Sequence, residues 1–177
     1  ARKKKSNRCM SLLYKRKVLL GVSGSIAAYK SAFIVRELIK RGAEVQVVMT
    51  HAAKDFITPL TLSTLSKRPV YSEFIEDDQK VYGVWNNHVD MGLWADLMLI
   101  APASSNTLSK IATGACDNLL TAVYLSAKCP VYVAPAMDLD MYKHESTKKS
   151  ISQLQSFGNV LIPPSVGELA SGLVGEG

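Results

Sequence analysis

Four clusters of small hydrogen-bonding residues each follow an apolar run in this 177-residue sequence. Ser23-Gly24-Ser25 follows KVLLGV at 17–22, Thr50 ends EVQVVMT, Ser104-Ser105-Asn106-Thr107 follows LMLIAPA, and PAMDLDMY at 135–142 closes the run that opens with PVYV. Hydroxyls and amides hydrogen-bond without adding charge, and small side chains let a ligand approach the backbone. A Gly-rich turn into a helix favours a phosphate through its N–H groups and helix N-terminus, and Ser23 and Ser25 would add hydroxyl donors. Taken alone, the same turn also reads as an ordinary tight turn with a Ser cap.

The nucleotide class is narrowed by what is missing. GVSGSIA is not GxGxxG, and Thr50 stands where a dinucleotide site usually places a carboxylate for the ribose, so NAD loses ground. No GxxxxGK[ST] occurs, so a P-loop nucleotide is unsupported. A hydroxyl at Thr50 beside the Ser-Gly-Ser turn suits a terminal monophosphate. FMN fits better than an adenosine cofactor, although composition alone does not choose between them.

Other chemistries are weaker. Cys9, Cys116 and Cys129 are odd in number without CxxC spacing, and His51, His88 and His144 do not cluster with them, which disfavours a disulfide scaffold and structural zinc. Cys116 and Cys129 lie among apolar residues and read as buried small hydrophobes. Arg2, Lys3, Lys4, Lys5 and Arg8 supply five positive charges against a net +6, so the basic balance belongs to a tail and not to a nucleic-acid surface. That tail precedes Met10, a candidate start; a cloning remnant, a basic arm and a solvated extension all fit it. No apolar run approaches the roughly 18 residues of a membrane span, and no signal peptide follows the basic start. A soluble, cytoplasmic protein is expected.

The elements that must position these clusters follow a regular order. KVLLGV, EVQVVMT, LMLIAP, PVYVAPA and NVLIPP read as five strands. Between them, IAAYKSAFIVRELIKRG, AKDFITPLTLSTLS with a break or start near Pro59, HVDMGLWA, SNTLSKIATG, NLLTAVYLSA and STKKSISQLQSFG read as helices, Gly42 and Gly158 stopping the first and last. Strands apolar on both faces alternating with helices predict one α/β domain, a doubly wound Rossmann- or flavodoxin-like parallel sheet. Residues 1–16 form a basic extension and 17–177 the domain. The Gly-rich segment 165–177 reads as a flap without a strand, or as chain cut before a further domain.

GVSGSIAAYK, HVDMGLWADL, APASSNTLSKIATGACDNLLT, PAMDLDMY and GELASGLVGEG together resemble, in order and spacing, the flavin-dependent cysteine decarboxylases. The likeness runs from about residue 17 onward and is greatest to the amino-terminal domain of bacterial bifunctional coenzyme A biosynthesis proteins. It implies FMN-dependent decarboxylation of 4′-phospho-N-pantothenoylcysteine, a ligase domain beyond this stretch, and homotrimers that in some members stack into dodecamers. By the same resemblance Gly24, Ser25, Ile26 and Thr50 hold the phosphate side of FMN, Ser104, Ser105, Asn106 and Thr107 surround the flavin, and Ala136 lies beside the ring through its backbone. Asp138 and Met141 are then substrate contacts, and His88 is the active-site histidine. The implied chemistry is coherent: the flavin removes two electrons from the thiol-bearing carbon, the resulting thioaldehyde accepts the electrons released with CO₂, and the enethiolate is reduced and protonated, which returns the cofactor to its starting state.

Two positions depart from the pattern. Asp138 replaces an Asn that clamps the substrate in relatives, so an acceptor-only carboxylate would meet a substrate acid of like charge. Either it is protonated when the acid binds, or it accepts from the substrate amide N–H while another group holds the acid. Asp138 also reads as a local turn or cap residue, helped by Asp140 nearby, which serves equally. Ala170-Ser171-Gly172 stands where relatives carry a proton-donating Cys, so Ser171, a water or Tyr142 must donate instead. If none does, the product is an enethiol, as in oxidative decarboxylases of peptide C-terminal cysteine; a non-catalytic flavin-binding subunit is the remaining alternative.

Overall fold

Val18, Leu19, Leu20 and Val22 are all wholly buried, which consecutive strand residues achieve only when both faces of the sheet are covered. The computed structural model describes residues 11–76, 84–168 and 174–176. Strand β1 is Lys17–Val22. A 3-10 turn at Ile26–Lys30, capped by Ser25, leads into α1 at Ser31–Lys40. Then come β2 at Glu44–Met49, a 3-10 turn at His51–Asp55, α2 at Pro59–Ser66 and β3 at Val70–Tyr71. A small antiparallel pair, β4 at Ile75–Glu76 and β5 at Val84–Trp85, precedes α3 at His88–Trp94 and β6 at Leu97–Ala103. The second half runs α4 at Ser105–Thr113, α5 at Leu119–Ser126, β7 at Val131–Pro135, α6 at Leu139–Lys143, α7 at Glu145–Ser156 and β8 at Val160–Leu161. Last are β9 at Val166–Glu168 and β10 at Val174–Glu176, paired antiparallel.

Six strands form one parallel sheet in the order β3-β2-β1-β6-β7-β8. Alternate residues of β1 feed two cores. Leu19 joins Met98, Ile100, Leu108, Ile111, Leu120, Val123 and Leu154 under α4, α5 and α7. Val18, Leu20 and Val22 join Val35, Val47, Met49 and Leu62 under α1 and α2. The predicted doubly wound sheet is therefore present, with its strands where the apolar runs lie.

Three details differ from the expectation. The first helix opens as a 3-10 turn, with Ala28 N–H bonded back to the Ser25 carbonyl at 2.8 Å. The edge strand β3 and the β4–β5 pair, of two residues each, are too short to carry a hydrophobic period. The Gly-rich end expected to lack a strand contains the β9–β10 pair, with Val174 opposite Glu168 and Glu176 opposite Val166.

Gly92 sets how closely α3 lies on α5. A Cβ there would stand 2.8 Å from the Ser126 carbonyl carbon and oxygen and 3.0 Å from Ala127 N, all of them backbone atoms that cannot rotate away. Gly92→Ala is expected to destabilise the fold by about 1–3 kcal/mol through overpacking, measured as a lower urea midpoint with an unchanged slope.

Candidate functional site

The strand order reverses between β1 and β6: the chain leaves β1 toward β2 on one side and resumes at β6 on the other. Such a switch point opens a crevice beyond the carboxyl ends of the strands, where α/β sheets bind ligands. A cavity of about 1030 Å³ lies there. Gly24, Ser25 and Ile26 line it from the end of β1, Thr50 from β2, Ser104, Ser105, Asn106 and Thr107 from β6, and Ala136, Asp138 and Met141 from β7. All the predicted cofactor residues therefore share one cavity, together with both predicted substrate contacts.

The cradle is built by local hydrogen bonds. Ser23 is wholly buried; its Oγ donates to the Pro102 carbonyl at 2.7 Å and accepts from Ser104 N at 2.8 Å. It thus joins the ends of β1 and β6 and is a structural link, not the phosphate donor the turn suggested. Ser25 Oγ accepts from Ala27 N at 3.3 Å and donates to the Ala136 carbonyl at 3.4 Å, while Ala136 N bonds the Ala103 carbonyl at 3.1 Å. Ser104 caps α4, its Oγ accepting from Thr107 N at 3.3 Å. Gly24 needs its missing side chain, because a Cβ would come within 2.7 Å of the Ala52 Cβ.

Thr50 differs from these serines. It begins the 3-10 turn at His51 without a side-chain cap bond, and its Oγ1 is buried with no partner. An unpaired buried hydroxyl is costly, and one on a cavity wall is explained by a ligand that completes it. Two helical N-termini capped by Ser25 and Ser104 also open onto the cavity and favour an anion. The residues present therefore fit a phosphate-bearing mononucleotide.

Charge enters the cavity from residues the sequence did not single out. Lys110 and Asp117 line it and bond each other at 2.6 Å, and the Lys110 ammonium holds the Asp117 carboxyl below the usual carboxylate range. Lys30 and His51 are also in the lining; His51 Nδ1 lies 3.0 Å from Glu73 Oε1, which accepts from Lys54 at 2.8 Å. No local motif marks the Lys110–Asp117 pair, because it forms across the helix stop at Gly114, whose φ of 76° turns the chain back.

His88 is not part of this lining. It is the first residue of α3, behind Asn87, whose Oδ1 caps Val89 N at 3.0 Å. Its ring meets Phe74 and Trp85 edge-on, each at 6.1 Å between centroids, and its Nδ1 is buried without a partner. Ser171 lies outside the described residues, as does most of the predicted 165–177 flap beyond Glu168; Ser165 and Gly167 do reach the cavity wall. The cysteines also depart from expectation. Cys116 is exposed, in the turn between α4 and α5, and Cys129 is half-buried, its thiol pushed up by burial. Among the described residues no cluster of His, Cys, Asp or Glu is arranged to hold a metal ion.

The model of the family described as Flavoprotein matches residues 6–176. The chain belongs to the Flavoprotein family. Within it, the chain is 56% identical over 121 residues to a cysteine/cysteine sulfinic acid decarboxylase of an unknown prokaryotic organism, covering 68% of this chain and 33% of that protein. It is 48% identical to a probable phosphopantothenoylcysteine decarboxylase of Streptococcus mutans, over 92% of this chain and 90% of that one. Among solved structures, a PPC decarboxylase mutant complexed with pantothenoylaminoethenethiol superposes with a TM-score of 0.77 at 37% identity, covering 92% of this chain and 90% of that one. The chain spans only 33% to 41% of the length of several curated relatives, bifunctional coenzyme A biosynthesis proteins of Vibrio cholerae and Bacillus subtilis among them.

The two hydroxyls of this Flavoprotein-family site have opposite energetic roles. Ser23→Ala removes two hydrogen bonds at the buried end of β1, to Pro102 and from Ser104, and should cost about 1–3 kcal/mol. Thr50→Val removes no protein bond and takes away a buried hydroxyl without a partner, so it should stabilise the ligand-free protein by about 1 kcal/mol or more. Urea unfolding of the ligand-free variants checks both.

Proposed function

We propose that this domain binds FMN and decarboxylates the cysteine carboxyl of 4′-phospho-N-pantothenoylcysteine to give 4′-phosphopantetheine in coenzyme A biosynthesis. The observation that carries the reading is the convergence of four polar strand-end clusters on one cavity, with the unpaired Thr50 hydroxyl in its wall, in a chain of the Flavoprotein family. Gly24, Ser25, Ile26 and Thr50 hold the phosphate, Ser104 to Thr107 meet the polar parts of the flavin, and Ala136 contacts the ring through its backbone. Bound FMN supplies two-electron redox chemistry at the thiol-bearing carbon, without which the carbanion left by CO₂ has no electron sink. The protein orients the substrate through Asp138 and Met141 and delivers the final proton through Ser171, a water or Tyr142.

We further read the active unit as a homotrimer, or a dodecamer built of stacked trimers, in which His88 serves the cavity of a neighbouring subunit. Two observations support this. His88 lies off the cavity of its own chain, and the elements around it carry exposed apolar side chains: Ile75, Trp85, Val89, Leu93 and Leu125. Large exposed apolar residues concentrated on adjoining elements suit a subunit contact. No described helix is long and apolar enough to cross a membrane, and a doubly charged phosphate ester does not leak across one, which favours a cytoplasmic site of action.

Anaerobic incubation with phosphopantothenoylcysteine, following CO₂ and flavin absorbance together, tests the reading. Many turnovers giving phosphopantetheine are expected; one turnover with a bleached flavin would establish the oxidative alternative, and no CO₂ the non-catalytic one. His88→Asn should keep the yellow colour and lower turnover at least about 100-fold, the range a general acid–base group contributes. For Thr50→Val, fluorescence titration should show FMN affinity weakened about tenfold or more, as expected for one hydrogen bond to a charged acceptor.

A further inference from the structure

We infer that Asp138 is a specificity-determining acceptor for the nitrogen of the substrate's cysteine moiety, so that the site also takes cysteine compounds whose nitrogen is a free ammonium. The inference rests on the decarboxylase reading above but asks a separate question of the same cavity. Asp138 sits at the N-cap position before α6, where an Asp side chain ordinarily turns back to cap the helix. Here it makes no cap bond, is exposed, and lines the cavity. Ser25 and Ser104, the comparable residues at the ends of β1 and β6, spend their hydroxyls on the helix instead. The other lining carboxylate, Asp117, is engaged by Lys110 at 2.6 Å and by Asn118 at 2.8 Å. Among the described residues Asp138 has no ion pair, which leaves it as the acidic recognition group of this wall.

An ionised carboxylate accepts hydrogen bonds and donates none. A substrate acid placed against it meets like charge, whereas an amide N–H or an ammonium is complementary. Hydrogen bonds between two ions are roughly twice as strong as neutral ones, so the ammonium of cysteine gains more from Asp138 than an acylated nitrogen does. The substrate carboxyl is then directed away from this wall.

The test compares L-cysteine with N-acetyl-L-cysteine, which differ in the state of the nitrogen. Both are titrated calorimetrically at neutral pH, without oxygen, into the FMN-loaded protein and into its Asp138→Asn variant, an isosteric change at an exposed position. The unsubstituted protein should bind L-cysteine about tenfold more tightly than the acetylated compound, and the variant should lose most of that preference. An equal preference in both proteins, or no binding of L-cysteine to the unsubstituted one, overturns the inference. Because heat from turnover would add to that of binding, both proteins carry His88→Asn in the calorimeter, and CO₂ release is followed separately with His88 intact. A preserved, Asp138-dependent preference without decarboxylation would therefore sink the proposed activity alone, and decarboxylation with a preference indifferent to Asp138 would sink this inference alone.

Discussion

The site depends first on the buried hydroxyl of Ser23. It bonds Pro102 and Ser104 at 2.7 and 2.8 Å and so fixes the end of β1 to the end of β6, the two central strands between which the sheet order reverses. The hydroxyl is wholly buried, so its bond to Pro102 lies where water cannot replace it. The link places the Ser25 turn beside the start of α4, and the contact of Ser25 with Ala136 carries the same arrangement on to β7. The cavity is what remains beyond these pinned strand ends.

Within that frame, polar side chains divide into those used by the fold and those left to a ligand. Ser25, Ser104 and Asn118 satisfy helix N-termini, Asn118 in a full capping box with Thr121. Thr50 and Asp138 occupy equivalent positions at other strand ends and make no such bond. One offers a neutral hydroxyl toward the anion-favouring end of the cavity, and the other a negative charge. The two unspent groups thus suit the phosphate of a cofactor and the nitrogen of a substrate.

Much of this was legible in the sequence, for physical reasons that can be named. Strands buried on both faces must be apolar throughout, so the five apolar runs marked their own positions, β1 to the residue. The residues that gather at a switch point must follow strands, so the small polar clusters marked the cavity. What escaped depends on long-range geometry. A serine that donates to a ligand and one that ties two strands look alike in a chain, and Ser23 proved to be the second kind. Lys110 and Asp117 meet only because Gly114 reverses the backbone between them. His88 reads as a site residue through the motif around it, but within one chain the β4–β5 segment encloses it in Phe74 and Trp85, away from the cavity. The short strands β3 and β9 left too little pattern to be read, whereas the equally short β8 lay within the apolar run NVLIPP.

The central claim is that the converging strand ends form an anchor for a phosphate, on which a flavin is then oriented. Comparing the affinity of the flavin-free protein for FMN and for riboflavin, by quenching of flavin fluorescence, tests it most directly. The two ligands share the ring system and differ by the phosphate. The account predicts that FMN binds at least about 100-fold more tightly, since two or more charged hydrogen bonds are lost with the phosphate. Equal affinities, or the binding of neither, would contradict it.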